Sequence, residues 1–174
     1  MDGAGFGAVV STHHEEIHRY LRRMIGRQDG ADDLSQETFL RAYRAYQALP
    51  SDANVRAWLF SIATNLAKNH YRAETRRRRA YAELRTAESQ IAGSAEAEAA
   101  AREAGRVIES IVGRLPLKQR AAFTQRKIHG LEYEEIGQSL GCSAESARAH
   151  VFQALKKVRQ ALGSHGLLPG EFTS

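Results

Sequence analysis

The stretch from Glu132 to Val158 most restricts the possible folds of this chain, because its apolar residues recur at helical spacing on both sides of a glycine. Gly141 suits the position after a helix, where a left-handed backbone conformation costs glycine little. Ser143 suits the N-cap of a following helix, because its hydroxyl can accept a backbone N–H of the first turn. In the first helix, Tyr133, Ile136 and Leu140 recur at helical spacing before Gly141. The pattern predicts a helix-turn-helix.

The second helix of this stretch has two different faces. Its inner face carries small and branched apolar residues, namely Ala147, Val151, Ala154 and Val158. Its outer face carries Glu145, Arg148, Ala149, Phe152, Gln153 and Lys156. Arginine and glutamine can hydrogen-bond base edges, alanine and phenylalanine can touch a thymine methyl, and Lys156 and Lys157 can meet phosphates. A groove-reading helix has this composition, and a helical hairpin with a solvated outer face is the alternative.

Helical spacing also dominates the rest of the chain, which has only three prolines in 174 residues. The composition of most segments favours helix, so the expected fold class is all-α. The first helix lies within Phe6 to Arg27 and ends near Gly26. Its buried stripe is Ile17, Tyr20, Leu21, Met24 and Ile25.

The first helix contains the pattern H-E-x-x-H at His14 to His18. In zinc proteases this pattern places two imidazoles one turn apart, with a glutamate base beside them. However, His14 and His18 fall on the apolar side of the helix, and no third ligand is apparent downstream. We therefore expect these histidines to be packing residues and expect no metal site.

The segment QDGADD, residues 28 to 33, predicts a turn that leads into a second helix ending near Tyr46. Its apolar face is Phe39, Ala42, Tyr43 and Tyr46. A contiguous outer face carries Asp33, Gln36, Glu37, Leu40 and Arg41. This face is either solvated or a docking surface for a partner protein, in which charges orient the encounter and a leucine supplies apolar contact.

A loop from Ala48 to Asn54 precedes a third helix, predicted to run from Val55 to about Arg72, with the basic run Arg76 to Arg79 just beyond it. Trp58, Leu59, Ile62 and Leu66 are expected inside; Arg56, Phe60, Thr64, Asn65, Lys68 and Arg72 are expected outside. Aromatic residues beside cations suit nucleic acid, because bases stack on rings while phosphates meet the charges. A membrane surface or simple solvation of the basic end is the alternative.

The segment from Ala80 to Ala104 is poor in large apolar residues and net acidic, which predicts a flexible linker with partial helical tendency. Two small helical domains are therefore expected, at residues 1–79 and 105–163, with a frayed tail at 164–174. In the second domain, two helices precede the helix-turn-helix: one is stopped by Pro116 and the other is ended by Gly130. Their apolar residues are Val107, Ile108, Ile111, Val112, Leu115, Ala121, Ala122, Phe123 and Ile128.

The formal net charge of +5 favours an anionic partner. Six cations and one Glu between Lys68 and Arg79 account for that whole excess. The lone Cys142 cannot form an internal disulfide. Because no apolar run approaches membrane-spanning length and no signal peptide is apparent, we expect a cytoplasmic protein without membrane insertion.

Three blocks of the sequence together resemble the extracytoplasmic-function (ECF) group of bacterial RNA polymerase sigma factors. ADDLSQETFLRAYRAY looks like the second conserved region of that family, and VRAWLFSIATNLAKNHYR looks like its promoter-melting helix. LPLKQRAAFTQRKIHGLEYEEIGQSLGCSAESARAHVFQALKKVRQAL looks like its C-terminal domain. The three blocks occur in the order and at the spacing of the family. This disfavours the alternative that the outer helix faces are simply solvated.

The resemblance implies a role for each surface. It implies that core RNA polymerase is contacted by Asp33, Gln36, Glu37, Leu40 and Arg41. It implies that the loop Ser51 to Asn54 captures a base flipped out of the minus-ten element. The minus-ten residues would be Ser51, Asp52, Asn54, Arg56, Trp58, Asn65, Lys68 and Arg72. The minus-thirty-five element would be read by Arg148, Ala149, Phe152 and Gln153, with Lys156 and Lys157 on phosphates.

Two positions depart from the family pattern. Glu132 stands where relatives commonly have Ser or Thr as a helix cap, which predicts a weaker cap. His150 stands where many relatives have a basic residue, which leaves a pH-sensitive backbone contact possible.

The resemblance therefore predicts a non-enzymatic transcription initiation factor that needs no cofactor and binds core RNA polymerase, promoter DNA and, as family members usually do, an anti-sigma factor. The alternative function is a stand-alone helix-turn-helix regulator, which would bind duplex DNA tightly without polymerase.

Overall fold

The computed structural model describes residues 3–26, 30–82, 98–164 and 166, and these form seven α-helices. The helices are α1 (Gly3–Ile25), α2 (Ala31–Tyr46), α3 (Val55–Ala82), α4 (Glu98–Gly113), α5 (Leu117–Lys127), α6 (Tyr133–Leu140) and α7 (Ala144–Ser164). The described residues contain no strand. The all-α prediction is confirmed.

Helices α1 to α3 pack on one another and form an N-terminal unit. The predicted stripe of α1 is buried, and the helix ends at Ile25, just before Gly26, whose φ of 73° is in the left-handed region. Phe39 and Ala42 of α2 are buried as predicted. The prediction for Tyr43 was wrong: its ring packs edge-on against Phe6 but is 60% exposed, because no described residue covers its other side.

Helix α3 corrects two further predictions. It does not end near Arg72 but continues through the basic run to Ala82, since no Gly or Pro interrupts it and Glu74 pairs with Arg78 one turn later at 3.3 Å. Phe60 and Thr64, expected on the outside, are buried, whereas Trp58 and Ile62 are only half-buried. The reason is that α3 is covered on a second side by the C-terminal helices.

Helices α4 to α7 form a C-terminal unit with a core of its own, which contains Ile111, Val112, Leu115, Phe123, Ala154 and Val158. Ile108 and Ile128 were predicted to contribute to it but are 41% and 48% exposed. Helix α4 begins at Glu98, inside the predicted linker, and α3 enters the linker from the other end. Residues 83–97 of that linker, and most of the tail, lie outside the described residues.

The two units share a second and larger core. Phe60 of α3 is fully buried in one cluster with Ala121 and Ala122 of α5 and with Ile136 of α6. Leu131, in the loop before α6, is fully buried in the same cluster. The units are therefore closed against each other, a contact that the separate patterns of the two halves did not predict.

Candidate nucleic-acid and polymerase interfaces

The helix-turn-helix has the predicted geometry. Gly141 has a φ of 63° and ends α6, and the Cys142 N–H donates to the Gly137 carbonyl oxygen at 2.9 Å. Ser143 Oγ accepts the backbone N–H of Ser146 at 3.1 Å, as an N-cap does. The four apolar residues of the inner face of α7 are buried. The turn and the orientation of the second helix are confirmed.

Gly137 is a key residue of this turn that the sequence analysis missed. A Cβ atom at Gly137 would lie 2.7 Å from the carbonyl oxygen of Cys142 and 3.2 Å from the backbone nitrogen of Ala144. Only a residue without a side chain allows α6 to approach the turn so closely. This approach involves the backbone of Cys142, while its thiol is free and half-buried.

The outer face of α7 is a continuous exposed surface. All of the predicted minus-thirty-five residues are exposed: Arg148, Ala149, Phe152, Gln153, Lys156 and Lys157. Phe152 has 68% of its surface exposed and adds a large apolar ring to this face. The arrangement presents hydrogen-bond donors, an apolar ring and two cations on one side.

Two residues that depart from the family pattern have defined surroundings. At the start of α6 the Glu135 carboxylate accepts the backbone N–H of Glu132 at 2.7 Å, so a side chain one turn away caps the helix. His150 is half-buried, and burial together with the positive charge of Lys118 lowers its pKa. Neutral imidazole is therefore the favoured form near pH 7.

The outer face of α2 is also exposed. Asp33, Gln36, Leu40 and Arg41 are exposed, and Glu37 is half-buried beside Arg41, whose Nε donates to Glu37 Oε1 at 2.6 Å. Leu40 is 51% exposed, and Tyr43 adds a second large apolar side chain to α2 that the sequence analysis had placed inside. The surface combines an apolar centre with charged surroundings, as protein-binding surfaces do.

The predicted minus-ten residues divide into an accessible and an engaged group. Ser51, Asp52, Asn65 and Arg72 are exposed, while Trp58 and Lys68 are half-buried. Asn54 caps α3 by accepting the Ala57 N–H at 2.9 Å, and its Nδ2 donates to Glu135 of α6 at 2.8 Å. Asn54 is therefore bonded to the C-terminal unit in this arrangement.

Arg56 is the other engaged residue. Its guanidinium binds both carboxylate oxygens of Glu16, with Nε to Oε2 at 3.1 Å, and also donates to the backbone carbonyl of His129. The Nδ1 atom of His129 lies 3.4 Å from Glu16 Oε1. Partial burial opposes ionisation of Glu16, but hydrogen bonds from His129 and Arg56 outweigh it and lower the pKa of Glu16 to about 2. Glu16 therefore stays ionised at neutral pH, and its contacts join α1, α3 and the loop after α5.

A buried hydrogen-bond network crosses the boundary between the units. Gln125 of α5 donates from Nε2 to Tyr20 Oη at 3.0 Å and to Thr64 Oγ1 at 3.2 Å. The Gln125 oxygen accepts from Ser139 of α6 at 2.5 Å. The Thr64 hydroxyl donates to the Phe60 carbonyl at 2.6 Å, so Tyr20 donates to Thr64 at 2.7 Å. Burial raises the pKa of Tyr20 to about 12, and the network stays neutral.

Arg120 makes a third connection between the units. Its guanidinium is buried and donates to the Met24 carbonyl at the end of α1 at 2.7 Å and to the Leu115 carbonyl at 3.3 Å. Its Cζ also lies 5.6 Å from the centre of the Tyr71 ring of α3. Burial lowers the pKa of Arg120. The carbonyls accept hydrogen bonds from its two terminal nitrogens, while its buried Nε has no hydrogen-bond partner among the described residues.

The H-E-x-x-H histidines are used in packing between helices. His18 Nε2 lies 2.7 Å from the Asp32 carboxylate, and the His14 ring lies 5.7 Å from that of Phe39. No cluster of three or more His, Cys, Asp or Glu side chains that could hold a metal occurs in the part of the chain that the structure describes. Within the same part, no helix is long and apolar enough to cross a membrane.

Two parts of the chain, which carry these surfaces, match models of a known protein family. Residues 9–77 match the model of sigma-70 region 2, and residues 105–158 match that of sigma-70 region 4. The two matches cover more than two thirds of the chain.

Curated relatives match over nearly the full length. The chain is 28% identical to the ECF RNA polymerase sigma-E factor of Haemophilus influenzae over 169 residues, covering 92% of this chain and 89% of that protein. It is 29% identical to the RNA polymerase sigma-H factor of Pseudomonas aeruginosa, and the match covers 92% of this chain and 88% of that protein.

Solved structures share the fold. The sigma factor RpoE of Bartonella quintana, in complex with the anti-sigma factor NepR, aligns with a TM-score of 0.72 at 20% identity and covers 91% of this chain and 97% of that chain. CnrH, in complex with the cytosolic domain of CnrY, aligns with a TM-score of 0.71 at 24% identity. The alignment covers 94% of this chain and 90% of that chain.

The two family matches define a non-enzymatic transcription initiation factor. The chain belongs to the sigma-70 family and, within it, to the ECF group of sigma factors.

Proposed function

We propose that this ECF sigma factor uses three separate surfaces to direct core RNA polymerase to its promoters. The outer face of α2 contacts the polymerase, α3 and the preceding loop bind the minus-ten element, and the outer face of α7 reads the minus-thirty-five element. The observation that carries this assignment is the simultaneous exposure of two chemically different helix faces, one with an apolar centre among charges and one with base-reading donors.

The minus-ten function requires the two units to separate. In the closed arrangement Arg56 is bonded to Glu16 and His129, and Asn54 is bonded to Glu135, so either residue must give up these contacts to bind a DNA strand. Capturing a flipped base also needs an aromatic or cationic surface, and Phe60 is covered by the C-terminal unit. We infer that the closed arrangement is the form of the free protein that does not bind promoter DNA.

Control by an anti-sigma factor fits this arrangement. The structural neighbour RpoE is bound to the anti-sigma factor NepR, and it shares the fold of this chain over almost its whole length. A regulator that binds the closed form better than the open form would shift the population away from promoter binding. We therefore expect a dedicated anti-sigma partner, and a cytoplasmic location, where polymerase acts.

The assignment of separate surfaces leads to a paired prediction. Arg148→Ala should weaken discrimination at one base pair of the upstream element by about 1 to 3 kcal/mol, because a bidentate contact to guanine is lost. Asp33→Ala should weaken binding to core polymerase and leave promoter preference unchanged. The measurements are polymerase binding by fluorescence anisotropy and promoter preference by transcription with the reconstituted holoenzyme.

Two exposed residues serve as matched controls for this pair. Arg114, between α4 and α5, and Glu134 of α6 carry the same types of charge but lie outside the proposed surfaces. Their alanine variants should behave like the wild type in both measurements. Equal loss of polymerase affinity in Arg148→Ala and Asp33→Ala would contradict the separation of roles.

A further inference from the structure

The ring of Tyr133, at the start of α6, contacts two guanidinium groups. The Cζ atom of Arg126, near the end of α5, lies 4.7 Å from the ring centre. The Cζ atom of Arg148, in α7, lies 5.0 Å from the same centre. Such distances correspond to cation–π contacts. The ring therefore connects a cation of the scaffold to a cation of the proposed reading face.

Arg126 is held firmly in place. Its Nη1 donates to the Leu131 carbonyl at 2.8 Å and lies 3.0 Å from Glu132 Oε2. The pKa of Arg126 is raised, chiefly by the hydrogen bond to Glu132. The glutamate that departs from the family pattern thus has a role, because it fixes the guanidinium on which the Tyr133 ring rests.

Arg148 has a different environment. It is exposed, and among the described residues no hydrogen bond or ion pair to its side chain is found. Stacking uses the flat face of a guanidinium and leaves its five N–H donors, which lie in the plane, free for other groups. Bidentate recognition of guanine needs those in-plane donors.

We infer that Tyr133 is a positioning residue for promoter specificity: it holds the Arg148 guanidinium by its face so that the N–H edge is presented to a base. This inference rests on the proposed reading role of Arg148. A flexible arginine must be immobilised on binding, and a ring that holds it beforehand removes part of that cost. The expected consequence of losing the ring is a 2- to 10-fold loss of discrimination at the base pair that Arg148 reads.

The test uses the full-length chain reconstituted with core polymerase and a promoter library randomised over the upstream element. Transcript sequencing gives a discrimination ratio for each position. Tyr133→Leu should lower the ratio 2- to 10-fold at the position affected by Arg148→Ala and leave the other positions unchanged. Tyr133→Phe should keep most of the ratio, since the ring remains. The double variant Tyr133→Leu/Arg148→Ala should be no worse at that position than Arg148→Ala alone.

A second measurement is independent of DNA. In the free protein, the side-chain NMR resonances of Arg148 should carry a ring-current shift that Tyr133→Leu removes and Tyr133→Phe retains. If Tyr133→Leu does not fold, Arg126→Gln weakens the anchor without removing the ring and should give a smaller loss at the same position. Either readout can then be made on a folded variant.

The outcomes separate the inference from the proposed function. Arg148→Ala without effect at any position would overturn the reading role itself. A clear effect of Arg148→Ala with none from Tyr133→Leu would overturn only the positioning role of Tyr133. An equal loss at all positions in Tyr133→Leu would show a general structural role and would also overturn it.

Discussion

Gln125→Glu is expected to open the protein. In the closed arrangement the Gln125 amide is buried and donates to Tyr20 and Thr64, and the glutamate places an acceptor where that donor was. The Thr64 hydroxyl already donates to the Phe60 carbonyl, so it cannot donate to the new oxygen without losing that hydrogen bond. Burying the charged group should cost at least about 3 kcal/mol, which favours separation of the units by a factor on the order of 100.

Small-angle scattering and hydrogen exchange measure this opening. The radius of gyration should rise, and amides of α5 and of the middle of α3 should exchange faster. The effect should be largest at neutral pH and should diminish in acid, because burial raises the pKa of the introduced carboxyl and protonation removes its charge.

Gln138→Glu is the matched control for this experiment. Gln138 lies on the exposed side of α6, so the same chemical change there meets water. It should leave the scattering curve unchanged. A compact Gln125→Glu protein at neutral pH, with wild-type exchange in α3 and α5, would contradict a closed arrangement held by the buried network.

Gly137→Ala is expected to damage the helix-turn-helix directly. The added methyl group would lie 2.7 Å from the Cys142 carbonyl oxygen, and backbone atoms of a tight turn cannot move aside as a flexible side chain can. The free energy of unfolding should fall by about 1 to 3 kcal/mol. Because the turn sets the angle of α7, upstream promoter recognition should fall more than polymerase binding.

Chemical denaturation compares this variant with Gly105→Ala. Gly105 lies within α4, and among the described residues no atom beyond its own stretch of helix lies within 4 Å of the position that its Cβ would occupy. In Gly105→Ala the free energy of unfolding should rise by about 0.5 to 1 kcal/mol, since alanine is more stable than glycine inside a helix. Equal stability of Gly137→Ala and the wild type would refute the close approach of α6 to the turn.

Local features of the chain were predictable from the sequence. The inner face of α7, the left-handed Gly141 and the Ser143 cap were all found because periodicity and capping act over a few neighbouring residues. The exposed face of α2 was found for the same reason. Its extra apolar residue, Tyr43, was missed because spacing alone cannot tell which side of a ring is covered.

The contact between the units was not predictable in this way. Phe60 and Thr64 lie outside the main apolar stripe of α3, and they are buried by Tyr20 of α1 together with α5 and α6. Gln125 and Arg120 look like surface residues in the sequence, yet both are buried, because their polar groups find partners far away in the chain. The role of Gly137 could not be predicted, because the atoms that exclude a side chain there belong to the backbone after the turn.

The central claim is that this chain gives core RNA polymerase its promoter specificity. The direct measurement is transcription of fragmented genomic DNA by core polymerase with and without the purified protein, with the start sites mapped. Added protein should produce new transcripts whose start sites share a two-part upstream motif, and Arg148→Ala should change the use of its upstream part. The absence of any promoter-dependent transcript on all templates would contradict the claim.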